Sequence, residues 1–205
     1  MVVGKKYLIV DAATPLVQEA IVCASGVVVA KSTRANAVDT ISSLAKELFS
    51  EHGCGFDEIS GMIFCNGPGS AMGLRAALIS IKTWMIFHGK HFELFDYCSF
   101  DMCLALNGFA DGVCTHGTND VLILKFRGDT DVTLVAADAV KNLSGKNIVF
   151  LGTRRNSCEK YSNFVPAKYD VYDVRFDIFS ICRPSDVGLV DYGGGTYRKW
   201  SPAAR

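Results

Sequence analysis

Short apolar runs open this chain. Tyr7 to Val10 ends at Asp11, and Val17 to Ala24 and Val27 to Lys31 follow, meeting at Ser25-Gly26. Runs of that length bounded by turn residues predict three strands, the last two joined by a two-residue hairpin. From Asn36 to Glu51 the period changes. Val38, Ile41, Leu44, Ala45 and Leu48 recur at helical spacing, a single apolar stripe, and Gly53 stands where a C-cap would close it. Ile59 to Cys65 reads as a fourth strand, Gly73 to Phe87 as a second helix and His91 to Phe95 as a fifth strand. The second helix is apolar nearly all round: besides Leu74, Leu78, Ile81 and Met85 it carries Ile79, Trp84, Ile86 and Phe87. A helix without a polar face is buried on two sides. One side covers its own sheet; the other requires a second lobe or another chain.

The resulting order, β-β-β-α-β-α-β, is that of one actin-like (ribonuclease H-like) lobe of the α/β class. The second half is less regular. Ser99 to Leu106 predicts a short helix, Val121 to Phe126 and Val132 to Ala136 two strands turning at Gly128-Asp129, and Ile148 to Leu151 another strand. Asn156 to Tyr161 and Asp177 to Cys182 suggest helical turns, and the tail from Asp191 is irregular. The expected division is a lobe over residues 1–98 and a smaller one over residues 99–205, each with a mixed sheet and flanking helices.

Between the fourth strand and the second helix lies Asn66 to Arg75, NGPGSAMGLR. Glycines there allow a sharp turn with clustered N–H groups, and a helix N-terminus favours an anion. The loop lacks the Lys-Ser/Thr pair of a Walker loop, so metal-assisted NTP chemistry of that kind is unsupported. The alternative is a tight turn that seats the helix. Arg75 opposes the helix dipole and predicts a specific partner. Asp11, ending the first strand, is either a metal-linked acid or a turn cap, with Thr14-Pro15 supporting the turn.

Composition narrows the function classes. Of 205 residues, 49% are hydrophobic and 20% charged, with 21 basic against 21 acidic, so a nucleic-acid footprint made by this chain alone is not expected. Mean hydropathy of +0.22 points to a buried partner interface. The eight cysteines form no C-x-x-C pair or zinc-like spacing, and Cys23, Cys65, Cys103 and Cys182 sit in apolar segments. No apolar run reaches the length of about 20 residues that spans a bilayer. The expectation is a cytoplasmic chain with reduced thiols, no membrane contact, no metal and no cofactor.

Residues Ile59 to Ala105 resemble the bacterial TsaB (YeaZ) family. Gly67, Pro68, Gly69, Ser70, Gly73, Leu74 and Arg75 match its G-P-G-S-F-T-G-L-R pattern, with Ala71-Met72 in place of Phe-Thr. Leu8 to Asp11 matches its first strand, although Ala12 and Ala13 replace Thr and Ser; Ser99 falls where its serine-led helix begins. Leu151-Gly152 and Tyr197-Arg198 continue the likeness loosely, and the family's Asp-Ala-Arg has no counterpart near Val113 to Asn119. The resemblance implies an inactive scaffold without catalytic residues. Its partners would be a TsaD-like enzyme and, in a larger complex, a TsaE-like ATPase, in threonylcarbamoyladenosine modification of tRNA, which it would touch only indirectly. Alone it would form a homodimer. The interface implied is the helix pair, carried by Val38, Ile41, Leu44, Leu48, Leu74, Leu78, Ile81 and Met85.

A competing reading is an active small-molecule kinase or ATPase of the same superfamily, which the missing hydroxyls at Ala12 and Ala13 disfavour. A glycoprotease would need H-x-x-x-H; His88 and His91 stand i, i+3 across Gly89 instead. Arg154, Arg155 and Lys160 form a small basic cluster, by default a solvated loop.

Overall fold

The computed structural model describes residues 4–117, 121–141, 143, 145–153, 164–171 and 177–186. The first sheet is built from β1 (Lys6–Asp11), β2 (Val17–Cys23) and β3 (Gly26–Thr33), an antiparallel meander, followed by β4 (Ile59–Gly67) and β5 (Glu93–Cys98) parallel to β1. Helices α1 (Ala37–His52) and α2 (Ala71–His88) make the crossovers, and α3 (Ser99–Leu106) leads out of β5. The second sheet repeats the wiring. Its meander is β6 (Gly112–His116), β7 (Val121–Phe126) and β8 (Thr133–Ala136); α4 (Ala137–Lys141) then leads to β9 (Ile148–Leu151), and β10 (Val165–Pro166) lies parallel beyond it. Two-residue β11 (Arg183–Pro184) returns to pair antiparallel with β5. The strand orders are β11-β5-β4-β1-β2-β3 and β10-β9-β6-β7-β8.

Period-two alternation gives the first sheet two buried faces. Leu8, Val10, Ile21, Met62 and Phe64 face α1 and α2, while Tyr7, Ile9, Ala20, Ile63 and Cys65 face α3 and residues 169–171 and 178–182. Helix α3 serves both sheets: Met102 packs on the first, and Phe100, Cys103 and Leu104 pack on Val113, Ile123 and Val149 of the second. Burying each such aliphatic or aromatic side chain stabilises the fold by about 1.5–3 kcal/mol. Asn36 caps α1 by accepting from Val38 N at 3.2 Å, and Gly53 ends it in the left-handed region at φ 67°.

Several boundaries move. The hairpin turn is Ala24-Ser25, because Gly26 (φ 115°) is already paired with Cys23. Strand β4 runs on to Gly67, α2 starts at Ala71, and the fifth strand starts at Glu93. Asp177 to Cys182 forms only a 3-10 turn, Ile178–Ser180, capped by the Asp177 side chain. Asn156 to Tyr161, the Arg154–Arg155–Lys160 cluster and the tail with Tyr197 and Arg198 lie outside the described residues. Among the described residues, no helix is long and apolar enough to cross a membrane.

Candidate functional site

Asp11 ends β1 where the two sheets approach, and its carboxylate is fully buried. Oδ1 accepts from Ala13 N at 2.8 Å; Oδ2 accepts from the Tyr169 hydroxyl at 2.6 Å and from the Tyr97 hydroxyl. Burial pushes the Asp11 carboxyl up from its ordinary value, and the three donors work against that shift. The Tyr97 and Tyr169 hydroxyls are themselves pushed well up, first by burial and then by the neighbouring carboxylate. Both carboxylate oxygens therefore have partners within the protein.

Tyr169 reaches this point on a segment that crosses back from the second sheet. Gln18, opposite Asp11 on β2, holds it like a neighbouring strand: Oε1 accepts from Val171 N at 2.9 Å, and Nε2 donates to Tyr169 O at 3.4 Å. Asn107 repeats the device, accepting from Lys168 N at 3.0 Å and donating to Lys168 O at 2.7 Å. The pattern-based reading missed Tyr97, Tyr169, Gln18 and Asn107.

The glycine loop lies directly against the end of β1. Ser70 N donates to Ala13 O at 2.7 Å, and the Ser70 hydroxyl caps α2 by accepting from Gly73 N at 3.3 Å. Two amides that an anion cradle would offer are thereby occupied. A Cβ built on Gly69 would lie 2.8 Å from Ala13, and one on Gly73 only 2.0 Å from Ala12 O. Ala12 and Ala13 are both buried at this contact. Gly67 (φ 108°) precedes a cis bond to Pro68, whose carbonyl accepts from the Ser99 hydroxyl at 2.5 Å. The arrangement is that of the tight turn. Arg75 is exposed on α2.

Between the sheets lies a cleft of about 480 Å³, with Thr14, Leu16 and Arg34 on one wall and Leu151, Gly152 and Tyr169 on the other. The Thr14 hydroxyl is engaged by its own turn, donating to Leu16 O and accepting from Leu16 N, both at 3.2 Å. Among the described residues, Arg34 is the one charged side chain in the lining. His88 stacks on Phe56 at 4.5 Å and His91 is exposed; among the described residues no His, Cys, Asp and Glu group suits a metal ion.

The helix pair needs a correction at residue level. Ile41, Leu44, Leu48, Leu74, Leu78 and Ile81 are buried in the chain's own core, and Met85 packs against that core. Only Val38 of the expected interface residues points outward. The stripe read from periodicity is the inward stripe, since a helix laid on a sheet turns its most regular apolar face down. The outward face of α2 is another set: Met72 (64% exposed), Ile79 (63%) and Ile86 (83%), with Phe87 beside them. Seven-residue spacing puts these three on one seam, interleaved with exposed Arg75 and Lys82.

No family model and no curated protein matches this chain. Solved structures do. One is YeaZ from Pseudomonas aeruginosa, at TM-score 0.60 and 13% identity, covering 80% of this chain and 81% of that one. Another is described as an uncharacterized protein with similarity to peptidase YEAZ from Pseudomonas aeruginosa, at TM-score 0.59 and 13% identity, covering 80% and 82%. With two sheets wired alike, these likenesses identify the actin-like ATPase fold.

Proposed function

We propose that this chain is a divergent, non-catalytic scaffold of the TsaB (YeaZ) type, which binds a TsaD-like enzyme in the threonylcarbamoyladenosine modification of tRNA. The observation that carries this reading is the outward seam of α2. Met72, Ile79 and Ile86 expose large apolar side chains at heptad spacing, the pattern by which one helix seats another. The sealed Asp11 supports the non-catalytic part: an acid whose oxygens accept from Tyr97, Tyr169 and Ala13 is not disposed to hold a metal-bound phosphate.

The seam also ranks the possible occupants. A second copy would bring Arg75 and Lys82 towards the same basic side chains of its mate, at a cost in repulsion. A partner helix with apolar knobs flanked by Asp or Glu meets both features. The heteromeric complex is therefore the stronger assembly, and the homodimer forms in the partner's absence. A TsaE-like ATPase would join through the enzyme, and tRNA contact would be indirect.

The test is co-purification with the TsaD-like protein of the same genome, using Ile79→Asp. Ile79 is mostly exposed, so the variant stays folded, yet a charge in a helix seam costs on the order of 3 kcal/mol, about a hundredfold in affinity. Retention of the complex by a folded Ile79→Asp chain overturns the interface. Tight magnesium-dependent ATP binding by the isolated chain, measured by titration calorimetry, overturns the inactive reading in favour of the kinase or ATPase.

A further inference from the structure

Glu19 lies in the middle of β2, between Val17 and Ile21, on the face covered by α1 and α2. It is fully buried, and neither carboxyl oxygen has a hydrogen-bond partner among the described residues. A buried, unpaired carboxylate is strongly unfavourable, so the side chain stays protonated well above the ordinary glutamate range, with burial as the cause.

The strand register sets one cation beside it. Glu19 is paired directly with Lys31 on β3, so their Cβ atoms share a face at about 5 Å. Lys31 Nζ, however, lies outward, 2.8 Å from Glu51 and 3.7 Å from Glu47, tying the last turns of α1 to the edge strand. Lys31 also lines a groove of about 410 Å³ between β3 and α1, with Thr33, Thr40, Ser43 and Glu47, so its side chain has room to move. The other groups near Glu19 offer it no charge. Val10, its neighbour on β1, is apolar. On α1, Asp39 and Lys46 are exposed and His52 sits at the C-terminal end; on α2, Arg75 and Lys82 are exposed and His88 stacks on Phe56.

We propose that Glu19 and Lys31 form a two-position latch on α1. With Glu19 neutral, Lys31 holds Glu47 and Glu51 and keeps the C-terminal half of α1 down. When Glu19 loses its proton to solvent, the carboxylate takes the Lys31 ammonium, and that half of the helix is released from β3. The sign follows from linkage. Folding binds a proton at Glu19, so the folding equilibrium weakens by up to about tenfold per pH unit from the ordinary glutamate range to the folded value, and levels off beyond it. The device is independent of which partner α2 seats.

The test combines carbon NMR of the Glu19 carboxyl with hydrogen exchange of α1 from about pH 5 to about pH 9, a window above the ordinary glutamate value. Exchange rates are corrected for their intrinsic pH dependence. The expected result is one titration raised above the ordinary range, with protection of the amides from Lys46 to His52 falling about tenfold over the same midpoint. Glu19→Gln keeps protection high at every pH. Lys31→Met holds it low at every pH. A Glu19 signal that does not titrate in this window overturns the latch. So does wild-type protection that ignores pH, or a pH dependence that survives Glu19→Gln.

Discussion

Replacing Gly73 with alanine tests whether the glycine loop exists for packing. The residue is in the first turn of α2, buried, and helical, so its backbone alone does not demand glycine. Alanine should then gain about 1 kcal/mol of helix propensity. Against this, the new methyl would stand 2.0 Å from Ala12 O, 3.0 Å from Ala12 C and 3.1 Å from Ala12 Cβ. Even a contact of 3.0 Å, tighter than nine in ten real Cβ contacts, requires α2 and the end of β1 to separate by about 1 Å. The 2.7 Å bond from Ser70 N to Ala13 O resists that shift, as does the packing of Leu74 on one side of the sheet and Ala77 and Ile81 on the other. Overpacking of a rigid site costs about 1–3 kcal/mol and more where backbone must move, so the net expectation is a loss of roughly 2 kcal/mol. Urea unfolding measures it, with Gly108→Ala as the control, since a Cβ there meets nothing within 4 Å and should shift stability by no more than about 0.5 kcal/mol. A Gly73→Ala protein as stable as wild type would refute the packing account and return the glycines to an anion site.

Two further outcomes follow from the buried contacts. Tyr169→Phe removes a 2.6 Å donor to Asp11 and should cost about 1–3 kcal/mol, with faster amide exchange at Val171 and Lys168; unchanged exchange there would show that Gln18 and Asn107 alone hold the crossing segment. Among the described cysteines, Cys23 should alkylate first. Its thiol is 3.0 Å from the Ser25 hydroxyl, which lowers its pKa, whereas burial pushes Cys103, Cys114 and Cys182 up to about 12. Timed labelling with peptide mass mapping reads the order, and Cys103 reacting ahead of Cys23 would contradict it.

What was legible in the sequence divides by range. Strand β7, helix α3 and strand β9 begin and end where the apolar runs do, because local burial dictates both pattern and element. Strands β10 and β11 have two residues each, too few for any periodicity. The seal on Asp11 was illegible for another reason: Tyr169 lies 158 residues away in the chain, and no local pattern marks a tyrosine that will meet a buried acid. The orientation of α2 failed differently. When Leu74, Leu78 and Ile81 are apolar and so are Met72, Ile79 and Ile86, composition cannot tell the sheet side from the outer side. Only the contacts decide it: Leu78 and Ile81 join the cluster of Leu8, Met62 and Phe64, and Leu74 joins that of Ile9 and Ile63.

The two departures from the TsaB pattern at the end of β1 fall where helix α2 is seated on the strand. Ala12 and Ala13 are buried, and a Cβ on Gly73 or Gly69 would run into Ala12 or Ala13 respectively. The first turn of α2 comes down onto the strand here, with Ser70 N donating to Ala13 O at 2.7 Å. The same turn carries Met72, the first residue of the outward seam. Helix α2 is thus fixed at its base by alanine against glycine, and Asp11, one residue further back, is closed by two tyrosines. The end of β1 serves in this chain to seat the first turn of α2 and so to set that helix's direction.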